Sequence, residues 1–259
     1  MDEILEARTL PPETAGPVLT ASGVCFSYPD NAGALQDVTI EVMPGQRVGL
    51  IGPNGAGKTT LFLVIGGMLK PSAGGVSLLG RPVAFGKFNP QVALVFQNPD
   101  DQLFCPSVRE DVAFGLQNMG LPREEVKARV EAALLTVGAS RLADRPVHHL
   151  SEGEKRIVSI TSVLAMHPEL VMYDEPSANL DIRSRRRLIR LLQSSAETIL
   201  VASHDLELVL EVCERVILID EGRIVADGDP REIMGNEQLM EAHGQEKPHS
   251  LIPHQIHHH

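Results

Sequence analysis

The sequence predicts an α/β fold: a parallel sheet flanked by helices, a small antiparallel β unit ahead of it, and an inserted α-helical subdomain. Three observations carry this expectation. Short apolar runs alternate with longer helical ones over much of the chain. A glycine-rich turn joins an apolar strand to a helix at residues 52–60. Between two blocks of strand-like text, from Pro99 to about Ala165, the pattern turns mostly helical. At 259 residues, 43% of them hydrophobic, the chain can bury one large core with a subdomain.

Residues 1–17, with Pro11, Pro12, Gly16 and Pro17, read as a loosely held arm. Val18 to Tyr28 and Ala34 to Val42 are strand-like, and Pro29-Asp30-Asn31-Ala32-Gly33 between them suits a hairpin or small antiparallel sheet. Tyr28 ends the first run, where an aromatic either stacks on a purine base or is simply half-buried. Arg47 to Ile51 reads as a buried strand and Thr59 to Leu69 as a helix. Gly74 to Leu79 and Val92 to Phe96 are further strands. In the inserted block, Val108 to Leu116 and Arg123 to Val137 are the clearest helices. Alternation resumes with Leu170 to Tyr173, Ile182 to Leu192, Ile199 to Ala202, Asp205 to Cys213 and Val216 to Ile219, which predicts parallel strands.

The turn between Ile51 and the helix reads Gly52-Pro53-Asn54-Gly55-Ala56-Gly57-Lys58-Thr59-Thr60 and fits G-x-x-x-x-G-K-[ST] at every fixed position. Its glycines let consecutive N–H groups point at one anion, and the following helix adds its positive N-terminal dipole. Lys58 is placed to reach β- and γ-phosphates, and the Thr59 hydroxyl to ligate Mg²⁺. Leu170 to Tyr173 runs into Asp174-Glu175-Pro176. Carboxylates at the end of a buried strand are costly unless they meet a cation, and Mg²⁺ on a nucleotide is one. Asp174 would orient that ion and Glu175 would polarise the water attacking the γ-phosphorus.

Composition narrows the classes. The net charge of −11 opposes the basic footprint of a nucleic-acid binder. The longest apolar runs, such as Leu61 to Leu69, fall short of the ~20 residues of a membrane span. The start, Met1 to Glu6, lacks the regions of a signal peptide. Cys25, Cys105 and Cys213 are odd in number and far apart, so they read as buried thiols in a cytosolic protein.

In order, Tyr28, Gly52 to Thr60, Gln97, Leu150-Ser151-Glu152-Gly153-Glu154, Asp174-Glu175, Ser177 to Asp181 and Ser203-His204-Asp205 resemble the nucleotide-binding subunit of an ABC transporter, over residues 18–235. The resemblance implies a P-loop NTPase (RecA-like) core over 18–98 and 166–235, a helical signature subdomain over 99–165 and a histidine-containing tail over 236–259. It implies ATP and Mg²⁺ as cofactors, with Tyr28, Asn54, Gly55, Ala56, Gly57, Lys58, Thr59 and Thr60 binding ATP. Thr59, Gln97 and Asp174 would hold Mg²⁺, and Glu175, His204, Gln97 and Lys58 would be catalytic. Ser151, Glu152, Gly153 and Glu154 would face the ATP of a partner subunit, and Asp181 would lie at that dimer interface. The segment departs from L-S-G-G-Q, with Glu152 for the first glycine and Glu154 for the glutamine. A carboxylate there repels a triphosphate unless it points away.

Gln97-Asn98-Pro99-Asp100-Asp101-Gln102-Leu103-Phe104 is more specific: it resembles the ATPases of energy-coupling factor (ECF) importers, especially the cobalt and nickel branch (CbiO-like). Phe26-Ser27-Tyr28-Pro29 and Glu241-Ala242-His243-Gly244 point the same way. The resemblance implies a second ATPase subunit, favouring a homodimer, an integral-membrane coupling protein, a membrane substrate-binding subunit, no nucleic acid, and a peripheral location on the cytoplasmic membrane face. Asp100, Asp101, Glu110 and Asp111 would offer the coupling protein an acidic groove. Imidazoles at His243, His249, His254 and His257 to His259 suit Ni²⁺, Co²⁺ and Zn²⁺ but lack a ligand spacing, so no metal site is assigned there. The rival readings are an importer for another micronutrient, a soluble ABC ATPase, and a nucleotide-binding regulator with little hydrolysis.

Overall fold

The computed structural model describes residues 16–252. The arm expected over 1–17, apart from its last two residues, and His254 and His257 to His259 lie outside them. A four-stranded antiparallel sheet, ordered β2-β1-β4-β5, comes first. It is built from β1 (Leu19–Phe26), β2 (Leu35–Val42), β4 (Ala73–Leu78) and β5 (Arg81–Pro82). The second sheet contains β3 (Arg47–Ile51), followed in the chain by helix α1 (Lys58–Ile65), and then β6 (Val92–Val95).

The inserted block folds as α2 (Val108–Asn118), α3 (Arg123–Thr136) and α4 (Glu152–Leu164). Both α2 and α4 start on complete capping boxes, Ser107 with Glu110 and Ser151 with Glu154, which satisfy orphan N–H groups at their first turns. Val112, Leu116, Val130, Leu134 and Val158 give this block a core of its own. The chain then resumes with β7 (Leu170–Asp174), α5 (Ile182–Ser194), β8 (Thr198–Ala202), α6 (Leu206–Val212), β9 (Arg215–Asp220) and β10 (Arg223–Gly228).

The second sheet is six-stranded, in the order β10-β9-β3-β8-β7-β6. Strands β3, β6, β7, β8 and β9 are parallel and β10 closes one edge antiparallel. Strands β7 and β8 are buried at every position, as expected of strands covered on both faces. On one face α1 packs with the antiparallel sheet into a shared core around Phe62, Leu61 and Ile65. On the other, α4, α5 and α6 cover Val171, Tyr173 and Val201. Because every parallel strand points the same way, their C-terminal ends gather the loops after β3, β6, β7 and β8 at one rim, where ligands bind in open α/β sheets.

Two expectations shift. Gly66 and Gly67 end α1 at Ile65 rather than Leu69, with Met68 and Leu69 bonded back to Leu63 O. Residues 236–252, read from sequence as part of a tail, pack on the core. Helices α7 (Pro230–Gly235) and α8 (Glu237–Ala242) bury Met234 and Met240 completely.

Candidate active site

The glycine-rich turn joins β3 to α1 at the sheet rim. A Cβ on Gly52 would stand 1.9 Å from Ile219 O, and one on Gly57 would stand 2.6 Å from Ala34 O. Only glycine lets the turn lie this close to its neighbours. Asn54 to Thr60 line a cleft together with Gln97, Asp174, Glu175 and His204. Asn31 and Ala34 join its wall, two residues without a motif of their own that sequence reasoning missed.

Lys58 is buried, and its Nζ donates to Gly52 O at 2.7 Å and Pro53 O at 3.0 Å. Burial pulls its pKa below the ordinary lysine value, while Glu175 and Asp174 oppose the shift. The Thr59 hydroxyl donates to Asp174 Oδ2 at 2.7 Å. Asp174 ends β7 almost fully buried, and burial raises its pKa against that hydrogen bond and the charge of Lys58. A hydroxyl beside a carboxylate is an all-oxygen donor pair of the kind Mg²⁺ prefers.

Glu175 follows with φ +45°, a strained conformation for a residue with a side chain, held by its N–H to Ala202 O at 2.8 Å. Its Oε2 accepts the His204 N–H at 3.1 Å. Its Oε1 is buried without a hydrogen bond, with the His204 ring nitrogen a charge contact at 3.4 Å. Burial raises the Glu175 pKa above the usual carboxylate range, against the pull of His204 and Lys58. His204 Nε2 also lies 3.4 Å from Lys58 Nζ. A carboxylate with a raised pKa at the cleft wall, beside a lysine and a histidine, has the chemistry of a general base.

Gln97 lines the cleft, and its loop is tied to α4. Arg156, 1% exposed, donates to Phe96 O at 2.6 Å and to Gln97 O. Gln102 accepts from Phe96 N–H and donates to Ser159 O at 2.8 Å. Arg156 was not foreseen, its one available sign being an arginine amid Ile157, Val158 and Ile160, and Gln102 stood out only as part of the Gln97 to Phe104 segment. Tyr28 stands outside the group above, edge-on to Phe26 at 4.9 Å, with its hydroxyl 3.4 Å from Thr60 Oγ1.

The signature segment lies away from this cleft. Glu154 turns back on its own helix start: Oε2 accepts the Ser151 N–H at 3.0 Å and hydroxyl at 3.1 Å, and Oε1 lies 3.3 Å from Arg145. The Ser151 bonds, first, and then the arginines lower its pKa. Glu152 is exposed in the first turn of α4. Gly153 abuts α5, since a Cβ there would meet Ser184 Oγ at 2.6 Å. Asp181, exposed, caps α5 by accepting the Ser184 N–H at 2.7 Å. The structure thus brings Ser151 to Glu154 close to Asp181 and not to Lys58.

Of the four acids expected to form a groove, Asp101 stays exposed while the other three have partners in the chain. Asp111 is buried and accepts N–H groups of Phe104 and Cys105, Glu110 is spent on the Ser107 cap, and Asp100 pairs with Lys155 at 2.6 Å. Also exposed are Phe104 and Phe114, edge to face at 4.8 Å. Among the described residues no His/Cys/Asp/Glu group has metal-binding geometry, and no helix is long and apolar enough to cross a membrane.

A family model described as ABC transporter matches residues 35–178. A Synechocystis protein, provisionally named an ABC transporter ATP-binding protein, is 52% identical over 91% of this chain and 83% of its own length. The energy-coupling factor transporter ATP-binding protein EcfA of Methanothermobacter thermautotrophicus is 47% identical over 83% of this chain and 72% of its own. The solved structure of CbiO1 from Clostridium perfringens, part of the ABC transporter complex CbiONQ, superposes with a TM-score of 0.76 at 34% identity, covering 88% and 94% of the two chains. The site geometry and these relatives agree: the chain belongs to the ABC transporter family as an ATP-binding domain, an ATPase coupled to transport.

Proposed function

We propose that this chain is the ATP-hydrolysing subunit of an ECF-type importer for a transition metal ion, cobalt or nickel. The observation carrying the chemistry is the single rim where Lys58, the Thr59–Asp174 pair, Glu175 and His204 meet within hydrogen-bond or charge contact. Asn54 to Thr60 would cradle the triphosphate, Lys58 leaving the carbonyls of Gly52 and Pro53 for β- and γ-phosphate oxygens. Tyr28 would stack on adenine. Thr59, Asp174 and Gln97 would hold Mg²⁺, which when bound neutralises phosphate charge. Glu175 would take the proton of the attacking water, and His204 would contact the γ-phosphate while its backbone N–H holds Glu175 in place.

A second copy of the chain would complete each site with Ser151, Gly153 and Asp181. In this chain by itself the Glu154 carboxylate sits on the α4 N-terminus, bonded to Ser151, and Arg145 offsets part of its charge. The Ser151 hydroxyl must leave Glu154 to reach a phosphate.

The ECF assignment is supported by the EcfA relatives and the CbiO1 likeness, and the metal cargo by the Gln97 to Phe104 segment. The apolar pair formed by Phe104, at the end of that segment, and Phe114 is the surface on which a membrane coupling protein would dock, putting the chain peripherally on the cytoplasmic face. Substrate choice would lie with a separate membrane subunit. The test is Co²⁺ and Ni²⁺ uptake by cells carrying Glu175→Gln in place of the native chain, with the chain pulled down from solubilised membranes. Lost uptake and a co-purifying multi-spanning protein are expected; undiminished metal uptake would sink the cargo assignment.

A further inference from the structure

We propose that His243 is a positioning residue for the phosphate-binding loop, acting through Asp220 and the β9–β10 turn. Helix α8 is anchored by the fully buried Met240, and just beyond it His243 Nδ1 lies 2.8 Å from Asp220 Oδ2. Both side chains are about three-quarters buried, at 26% and 22% exposure, so water screens the pair only in part.

The other carboxylate oxygen of Asp220 accepts the Glu221 N–H at 2.9 Å. Glu221 sits at φ +46°, which a side-chain-bearing residue keeps only under outside restraint. The next residue, Gly222, donates its N–H to Ala56 O at 3.0 Å, inside the phosphate-binding loop, and its own carbonyl is held by Gln36 N–H at 2.8 Å. From imidazole to loop backbone the path is therefore His243, Asp220, Glu221, Gly222, Ala56, with no gap.

The same segment passes near the loop on another side: a Cβ built on Gly244 would come within 3.8 Å of Pro53 Cβ. Farther on, Ser250 donates its N–H and hydroxyl to Glu207 at 3.0 and 2.6 Å, in the first turn of α6 just after His204. The segment after α8 is a strap fastened beside both ends of the cleft. A loop whose N–H groups must converge on phosphate loses affinity when its backbone is free to relax, because binding then has to restore the order.

The inference rests on reading Gly52 to Thr60 as the nucleotide loop. The experiment is calorimetric titration of the full purified chain with MgADP. His243→Ala should weaken binding about tenfold, the equivalent of one charge-assisted hydrogen bond. His243→Asn, whose amide nitrogen can stand where Nδ1 stands, should recover most of the loss. A His243→Ala affinity equal to wild type, even with a lower melting temperature, overturns the proposal, as does an Asn variant as weak as Ala. If His243→Ala does not fold, Asp220→Asn carries the test by the same criterion: weaker binding supports the proposal and wild-type binding overturns it. Lys58→Ala run alongside separates the two layers. If it too binds MgADP normally, the loop reading fails; if it alone is impaired, only the role of His243 fails.

Discussion

Replacing Arg156 with Met should leave a folded protein that hydrolyses ATP poorly. The guanidinium is 1% exposed, gives Phe96 O and Gln97 O a hydrogen bond each, and leaves its Nε without a partner. Two charge-assisted bonds contribute about 3–6 kcal/mol, but desolvating the cation costs several kcal/mol, so the two terms come close to cancelling. Burial lowers the Arg156 pKa, with Glu152 and Asp174 opposing. Met fills a similar volume without that cost, and its penalty is two carbonyls left unbonded, about 1–3 kcal/mol each. Gln97 is exposed, so water can serve its carbonyl and the low end applies. Net destabilisation should be about 1–2 kcal/mol by urea unfolding. Turnover should fall about tenfold at little change in KM, because the Gln97 loop is no longer tied to α4 and the reacting geometry loosens. A loss above about 4 kcal/mol would refute the cancellation of charge terms; full turnover would refute the tie.

Burial holds the Glu175 carboxyl above the ordinary range, and a base must be ionised to work. The acid limb of kcat/KM should therefore lie at higher pH than a free glutamate would give, activity being lost as pH falls through it; a kcat/KM profile flat down to the usual carboxylate range would contradict this. Gly153→Ala would press a Cβ to 2.6 Å from Ser184 Oγ, costing about 1–3 kcal/mol of strain at the α4–α5 contact. Ser184→Ala should relieve it, since the next atom is Ser184 Cβ at 3.3 Å, and thermal melting of the single and double variants reads the effect. Phe104→Asp should abolish co-purification with a membrane partner while the isolated chain hydrolyses ATP as before; retained co-purification would move the docking surface elsewhere.

Periodicity and motif spacing are local properties, and much of this protein is written locally. The strand-turn-helix around Lys58, the acidic end of β7 and the helical insertion are set by apolar runs, glycines and caps within a few residues of one another, so they could be read without coordinates. The family's motif order supplied what no single motif could, the pairing of Lys58 with Asp174, Glu175 and His204 across β3, β7 and β8. What depended on distance was decided only by the folded chain. Four acids near residue 100 looked alike in sequence, yet Asp111 is buried under backbone donors, Glu110 caps a helix, Asp100 meets Lys155 and Asp101 stays exposed. Glu154 was an unplaced charge in sequence, and the folded chain sets it on its own helix start beside Arg145. His243 looked like one of several tail imidazoles, but meets Asp220, 23 residues earlier in the chain, because α7 and α8 fold back over β9. A side chain's charge and length are fixed by its letter; which partner satisfies it is fixed by which surfaces the burial of the core presses together.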